Sequence, residues 1–118
     1  NLPALTLAYG SGFGFDWCPI TQAFYIYEGR GTTVVYKLKP STLDFGTCTW
    51  TLTTETFSNP AWDAATGASA QGPQPFTRWS YIPALRCFAW SDGPDASGVC
   101  TDGVTRTGLF QLWRPAGT

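Results

Sequence analysis

The sequence predicts an all-β domain, an antiparallel β-sandwich or barrel of about seven to eight strands, stapled by two disulfides. Apolar and polar residues alternate over short segments, and glycine and proline turns separate these segments. No stretch shows the period of an amphipathic helix, and no repeat or linker divides the chain. With 118 residues, the chain is predicted to be a single domain, residues 1–118, with one core.

The first third of the chain contains the predicted hairpin. Residues 2–8 alternate apolar and small polar side chains, which predicts a first strand. An extended segment over residues 13–17 would place its aromatic side chains on one face and Gly14 and Asp16 on the other. Residues 22–28 and 32–38 flank the short loop Gly29-Arg30-Gly31, which predicts a β-hairpin.

The clearest alternation runs from Thr47 to Phe57. Cys48, Trp50 and Leu52 share one face, which we expect to be buried, while threonines fill the other face, which we expect to be wet. From the alternation along their own segments, Trp50 and Phe110 are both predicted to lie in the core. The second half holds an irregular stretch over residues 59–75, a strand over 76–82 that ends before Pro83, and two further strands near 85–90 and 109–113.

Four cysteines in a short chain rich in glycine, proline and aromatic residues favour disulfides over a metal site. The chain has no histidine and no C-x2-C pair, so a zinc site would need thiolates alone. Of the three possible connectivities we favour Cys18 with Cys48 and Cys87 with Cys100. Disulfides predict a secreted, extracellular protein, and Asn1-Leu2-Pro3 is typical of a chain from which an export signal has been removed.

The residue content argues against catalysis, cofactors and nucleic acid. Without histidine there is no Ser-His-Asp or Cys-His site, and the eight carboxylates have no spacing that selects a glycosidase-like pair. No phosphate- or dinucleotide-binding glycine motif is present, and no apolar run approaches a membrane span. A net charge of -1 with scattered basic residues lacks the cationic cluster that nucleic acid requires. Asp92, Asp95 and Asp102 offer oxygens suited to calcium, but a plain turn is the preferred interpretation and we predict no metal.

Aromatic residues make up 16% of the chain, more than a small core needs, and we expect the surplus to form a contact surface. Tyr25 and Tyr27 alternate with Phe24 and Ile26, so one of these two faces is predicted to reach solvent. The predicted binding residues come from this surplus and from the turn that follows Cys87: Trp62, Phe88, Trp90, Asp92, Asp95, Tyr25 and Tyr27.

Several short motifs resemble the major Alternaria allergen family of fungal secreted β-barrel proteins. The segment from Cys87 to Gly103, with Asp92-Gly93-Pro94-Asp95 inside it, is similar to that family's C-terminus. Cys18-Pro19-Ile20-Thr21 and Thr42-Leu43-Asp44-Phe45 are also similar to its pattern. The chain departs from the family in having no cysteine between Cys48 and Cys87. The resemblance implies a secreted, non-enzymatic protein with two disulfides that engages plant proteins or a small phenolic ligand.

We therefore predict a small secreted binding protein of effector or elicitor type, without enzymatic activity, whose aromatic-rich loops contact an extracellular protein. The alternative is a carbohydrate-binding module or lectin in which Trp62, Trp90 and one of Tyr25 and Tyr27 stack on a glycan. A second alternative is a structural subunit of an extracellular assembly.

Overall fold

The computed structural model describes residues 2–6, 13–28, 34–56, 79–92 and 109–118, with the backbone alone for 90–92 and 109–111. These residues form seven strands and one 3-10 turn, Pro83–Leu85. The strands are β1 (Gly14–Cys18), β2 (Ala23–Tyr27), β3 (Val34–Pro40), β4 (Trp50–Thr56), β5 (Ser80–Ile82), β6 (Cys87–Asp92) and β7 (Leu109–Trp113). Within these ranges, no helix has both the length and the apolar character needed to cross a bilayer.

The strands form two antiparallel sheets. The first has the order β1-β2-β3-β4 and the second the order β5-β6-β7, so neighbours in each sheet are also neighbours in sequence. In the part of the chain that the structure describes, the two sheets do not join into a closed barrel, and the sandwich form of the prediction is the one observed. A polar contact links the sheets at their edges, where the Tyr81 amide donates to Asp16 Oδ2 at 2.7 Å.

The core lies between the two sheets and consists mainly of aromatic rings. Tyr25 from β2 packs against Phe88 of β6, with ring centroids 5.1 Å apart, and against Trp113 of β7 at 5.4 Å. Tyr27 packs against Trp79 at 5.1 Å. These five side chains are at most 8% exposed, and full burial of a large apolar side chain contributes about 1.5–3 kcal/mol to stability.

Trp79, the residue before β5, lies between the sheets and closely approaches Gly14 of β1. Its indole Nε1 donates to the Tyr25 carbonyl at 3.2 Å, and its ring stacks on Phe88 with centroids 4.7 Å apart. A Cβ placed on Gly14 would lie 2.7 Å from Trp79 Cγ, well inside ordinary contact distance. The absence of a side chain at position 14 therefore allows the indole to sit against β1.

The chain after β7 ties the second sheet back to the first. Pro115 is fully buried, and the Ala116 amide donates to Glu55 Oε2 on β4 at 2.9 Å. Glu55 lies near the end of the edge strand of the four-stranded sheet. Residues 115 and 116 therefore connect the two sheets on the side away from the β1 and β5 edges.

The structure confirms the predicted all-β class and the hairpin of β2 and β3, in which Tyr25 pairs with Lys37. The predicted first strand over residues 2–8 is wrong for residues 2–6, which are irregular; Pro3 has no amide hydrogen to donate to a sheet. Residues 7 and 8 lie outside the described residues.

The face of β4 that is predicted to be buried is only partly buried. Thr51 and Thr53 are exposed as expected, but Trp50 and Leu52 are half-buried and lie outside the core. The reason is that their side of the four-stranded sheet faces away from the second sheet. The Phe110 side chain lies outside the described residues.

The disulfides expected from the sequence are not found among the residues that the structure describes. Cys18, Cys48 and Cys87 are buried free thiols. Cys18 lies in the core between the sheets, whereas the Cys48 thiol approaches the Phe45 carbonyl at 3.8 Å in the turn before β4, so the expected pairing of these two is not observed. Cys100, the expected partner of Cys87, lies outside the described residues.

Candidate functional site

The outward face of the four-stranded sheet carries a cluster of five aromatic side chains that we call the aromatic platform: Phe15 and Trp17 on β1, Phe24 on β2, Phe45 in the turn after β3, and Trp50 on β4. Strand register explains the grouping. Trp17 pairs with Phe24, Phe24 with Leu38, and Leu38 with Leu52 two residues along from Trp50, so these side chains emerge on one face.

The rings of the platform touch one another at mixed angles. Phe15 stacks on Phe24 with centroids 4.6 Å apart and planes 11° apart, and Trp17 meets Phe24 edge-on at 4.8 Å. Phe45 packs at 5.3 Å from Trp50 and at 5.9 Å from Trp17. Such stacked and edge-on pairs each stabilise by about 0.5–1.5 kcal/mol beyond simple burial, so the rings hold one another in place.

The platform is open to solvent in spite of its apolar character. Phe15 is 49% exposed and Phe45 is 48% exposed, while Trp17, Phe24 and Trp50 are half-buried. Two further apolar residues of the adjoining turns, Ile20 and Leu43, are 45% and 57% exposed at the same end of the sheet. Single exposed apolar residues are common in proteins, whereas a contiguous aromatic group is less common, so the platform is the candidate contact surface among the described residues.

A tight turn fixes Phe45 over the sheet. The Asp44 carbonyl accepts from the amides of Thr47 at 3.2 Å and Cys48 at 3.0 Å, and the Asp44 carboxylate accepts from the Gly46 amide and the Thr47 hydroxyl. The Ser41 hydroxyl accepts from the Thr49 amide at 3.0 Å, which closes the base of the turn. An aspartate that accepts from groups two and three residues ahead is typical of a stable turn, so Phe45 is presented in a fixed position.

Charge is segregated across the four-stranded sheet. The outward face of the four strands carries no charged residue, and the register places Asp16, Lys37, Lys39 and Glu55 on the other face. The uncharged outward face therefore offers aromatic contact area without ionic groups, whereas the inward face carries all four charged residues of these strands.

On the inward face, Glu55 organises a small polar network. Its Oε1 accepts from Lys37 Nζ at 3.2 Å and from the Tyr25 hydroxyl at 3.4 Å. Burial tends to lower the pKa of Lys37, but the hydrogen bonds with Tyr25 and Glu55 outweigh it and raise that pKa. Burial, together with the nearby Glu55 charge, raises the pKa of the Tyr25 hydroxyl against the opposing effect of its hydrogen bonds. Both groups therefore stay protonated at neutral pH.

The structure places three of the predicted contact residues, Tyr25, Tyr27 and Phe88, away from this platform. Tyr25, Tyr27 and Phe88 are fully buried in the core, where a ligand does not reach them. Trp90 and Asp92 lie on β6, but their side chains are outside the described part of the structure, as are Trp62, Asp95 and Asp102 altogether. Among the described residues, no group of three His, Cys, Asp or Glu side chains is arranged to hold a metal ion.

The residues of the platform are not among the predicted contact residues, although the alternation that identifies some of them is present. Phe15 and Trp17 are expected on one face, and Phe24 is expected to oppose Tyr25, so half of the pattern is available from the sequence. The missing information is which face the second sheet covers. Phe45 lies in a turn and carries no periodic signal, so only the folded chain brings it over Phe24.

Comparisons with protein-family models, with curated proteins and with solved structures found no match for this chain.

Proposed function

We propose that this protein is a non-catalytic binding protein that engages another protein through the aromatic platform. The observation that carries the proposal is an uncharged sheet face on which five aromatic rings support one another while Phe15 and Phe45 remain about half exposed. Interface cores are enriched in aromatic residues and depleted in charged ones, which is the composition of this face.

The geometry favours a protein over a glycan as the partner. A sugar stacks on a flat, open ring face and also needs polar side chains around it for its hydroxyl groups. Here one face of Phe15 is covered by Phe24, Trp17 meets Phe24 at a steep angle, and the outward face of the strands lacks carboxylates, amides and cationic groups. An apolar side chain of a partner protein would fill the spaces between these rings.

The expected gain from such contact is large enough for specific binding. A phenylalanine or tryptophan buries about 150–250 Å² when fully covered, so covering the exposed half of one ring removes roughly 100 Å² from water and stabilises the complex by about 2 kcal/mol. Two such rings together would contribute a binding free energy in the range measured for interface hot spots. The hydrogen-bonded turn that holds Phe45 reduces the entropy lost on binding.

The proposal is tested with Phe15→Ser/Phe45→Ser, compared with wild type and with Leu112→Ser as the matched control. Leu112 is 58% exposed on β7 and lies outside the platform. We expect a partner captured from extracellular fluid, then purified, to bind the double variant at least about thirtyfold more weakly and Leu112→Ser with unchanged affinity. All three proteins should unfold cooperatively, which separates lost contact from lost folding.

Further measurements on the same variants distinguish the proposal from its alternatives. A glycan array that is positive for wild type and blank for the platform variant would favour the carbohydrate-binding alternative. Concentration-dependent sedimentation that the double variant abolishes would favour an assembly of identical subunits. Equal loss of partner binding in the platform and Leu112→Ser variants would contradict the assignment of the platform.

We also propose an extracellular location, with two disulfides in the mature protein, as in the fungal family that the chain resembles. The support is compositional: four cysteines in a short chain rich in glycine, proline and aromatic residues. Mass spectrometry of the natively produced protein without reduction should give a mass lower by four hydrogens than the reduced chain. Four alkylated cysteines without reduction would contradict this and agree with the free thiols of the structure.

A further inference from the structure

On the opposite side of β3 and β4 from the aromatic platform, a groove of about 390 Å³ opens on the inward face. Lys37 pairs directly with Thr53, and Lys39 with Thr51, so all four side chains point into the same space. Pro40 and Ser41 line it at the end of β3. The volume is in the range of sites for small ligands.

This groove collects the two lysines of the chain, at positions 37 and 39, although the net charge of the protein is -1. Lys37 is held by Glu55 at 3.2 Å and lies over the Tyr25 ring at 5.6 Å from its centroid. Lys39 is exposed and forms no ion pair with any other described residue. With two ammonium groups and one carboxylate, the groove has a net charge of about +1 at neutral pH.

The remaining polar groups of the groove are hydroxyls, each of which can donate a hydrogen bond. The exposed hydroxyls of Thr51 and Thr53 have no hydrogen-bond partner among the described residues, and the Ser41 oxygen accepts from the Thr49 amide while its own proton stays available. A positive charge beside three hydroxyl donors matches a group that carries a negative charge and only accepts hydrogen bonds.

We propose that this groove binds an oxyanionic group of a small ligand, namely a carboxylate, a sulfate or a phosphate. Lys39 supplies the main charge, Thr51 and Thr53 donate hydrogen bonds to the remaining oxygens, and Glu55 positions Lys37 at the side. The site is independent of the proposed protein-binding function, because its residues face the other side of the sheet from the aromatic platform.

The test is a titration of 15N-labelled wild-type protein with inorganic phosphate, inorganic sulfate and glucuronate, each against sodium chloride of equal ionic strength. We expect saturable amide shifts at residues 39, 41, 51 and 53 with dissociation constants in the millimolar range, because exposed charges contribute little each. The anion that binds most tightly identifies the ligand group as phosphate, sulfate or carboxylate.

Matched variants decide whether the groove is responsible. Lys39→Ala should weaken binding about threefold to fivefold, Lys39→Arg should retain it, and Arg86→Gln, which removes an exposed cation elsewhere, should leave it unchanged. Thr53→Val should weaken binding about threefold, whereas Thr54→Val makes the same change on the other face of β4 and should have no effect.

Glu55→Gln provides a readout that a purely structural role would not produce: removal of the competing carboxylate should strengthen anion binding about twofold. Shifts that do not saturate with any of the three anions, or equal losses in Lys39→Ala and Arg86→Gln, would overturn the proposal. Phe15→Ser/Phe45→Ser should bind the anion normally, so failure of this site and failure of the platform are distinguishable.

Discussion

Replacement of Gly14 by alanine should destabilise the fold far more than the addition of one methyl group suggests. The new Cβ would lie 2.7 Å from Cγ and 3.1 Å from Cδ1 of Trp79, where carbon atoms normally stay about 3.5–4.0 Å apart. The nearest atom is Trp79 Cβ, whose position does not depend on the side-chain rotamer, so a change of rotamer does not relieve the overlap. Either β1 or Trp79 must move by roughly 1 Å.

The cost of that movement follows from what Trp79 contacts. Overpacking of a core typically costs about 1–3 kcal/mol. A shift of this size would also stretch the 3.2 Å hydrogen bond from Trp79 Nε1 to the Tyr25 carbonyl, and loss of a buried hydrogen bond adds about 1 kcal/mol. We therefore expect a loss of about 2–4 kcal/mol in the free energy of unfolding. For a domain of this size that corresponds to a fall of roughly 8–16 °C in the melting temperature.

The measurement is urea denaturation followed by far-UV circular dichroism, with Gly46→Ala as the control. A Cβ at Gly46 would meet only Asp44 Oδ1 at 3.5 Å, which is an ordinary contact. Because alanine also restricts the unfolded chain, this variant should be unchanged or slightly more stable, by up to about 1 kcal/mol. If Gly14→Ala proves as stable as Gly46→Ala, the close packing of Trp79 on β1 is refuted.

Three further predictions concern the polar network, the turn and alkaline pH. Glu55→Ala should lower the free energy of unfolding by about 2–3 kcal/mol, because Lys37, Tyr25 and Ala116 all donate hydrogen bonds to this carboxylate. Glu55→Gln should lower it by about half as much, and similar urea midpoints for the two variants would contradict this prediction. Asp44→Ala should lower the free energy of unfolding by about 1–2 kcal/mol, because the turn loses its side-chain hydrogen bonds. It should also weaken partner binding, as the replacement of Phe45 by serine does; a normal binding affinity would show that the turn does not position Phe45. In the reduced protein, where Cys87 is a free thiol, burial raises the pKa of that thiol despite the nearby Arg114, and the pKa values of Tyr25 and Lys37 are also raised, so the unfolded chain loses these protons first. The contribution of these three groups to stability should therefore be constant below about pH 8.5 and fall above it, and Cys87→Ala should delay the fall to about pH 10; a urea midpoint that stays flat between about pH 8 and pH 11 would refute the reasoning.

Alternation along the chain was sufficient to predict most of the strands, because a period of two is a local property. The pairing of β2 with β3 follows from a short glycine loop between two apolar segments, and the structure shows this pairing. The sequence could not show which face of a strand would meet the second sheet when both faces are apolar. At β2 this ambiguity decided the site, since Tyr25 is buried and Phe24 is half-exposed.

Two other features depend on distant contacts. The exposure of Phe45 beside Trp50 depends on a turn whose hydrogen bonds centre on Asp44, and no periodicity marks such a turn. The groove at Lys37 and Lys39 requires the register that sets these lysines opposite Thr53 and Thr51. The number of cysteines alone predicts disulfides, but it contains no information on the distances between the sulfur atoms. In the structure Cys18 and Cys48 lie in different environments.

The tie between residues 115–116 and Glu55 has a consequence for the synthesis of the protein. The first sheet is complete once residue 56 has left the ribosome, but its inner face stays uncovered until Trp79 and strands β5 to β7 follow, and the contact from Ala116 to β4 forms only after residue 116. During that interval Tyr25, Tyr27 and Val35 are exposed to water on a nascent chain. Exposed apolar surface of this kind promotes aggregation and attracts chaperones, so the rate of translation beyond residue 56 should influence the yield of folded protein.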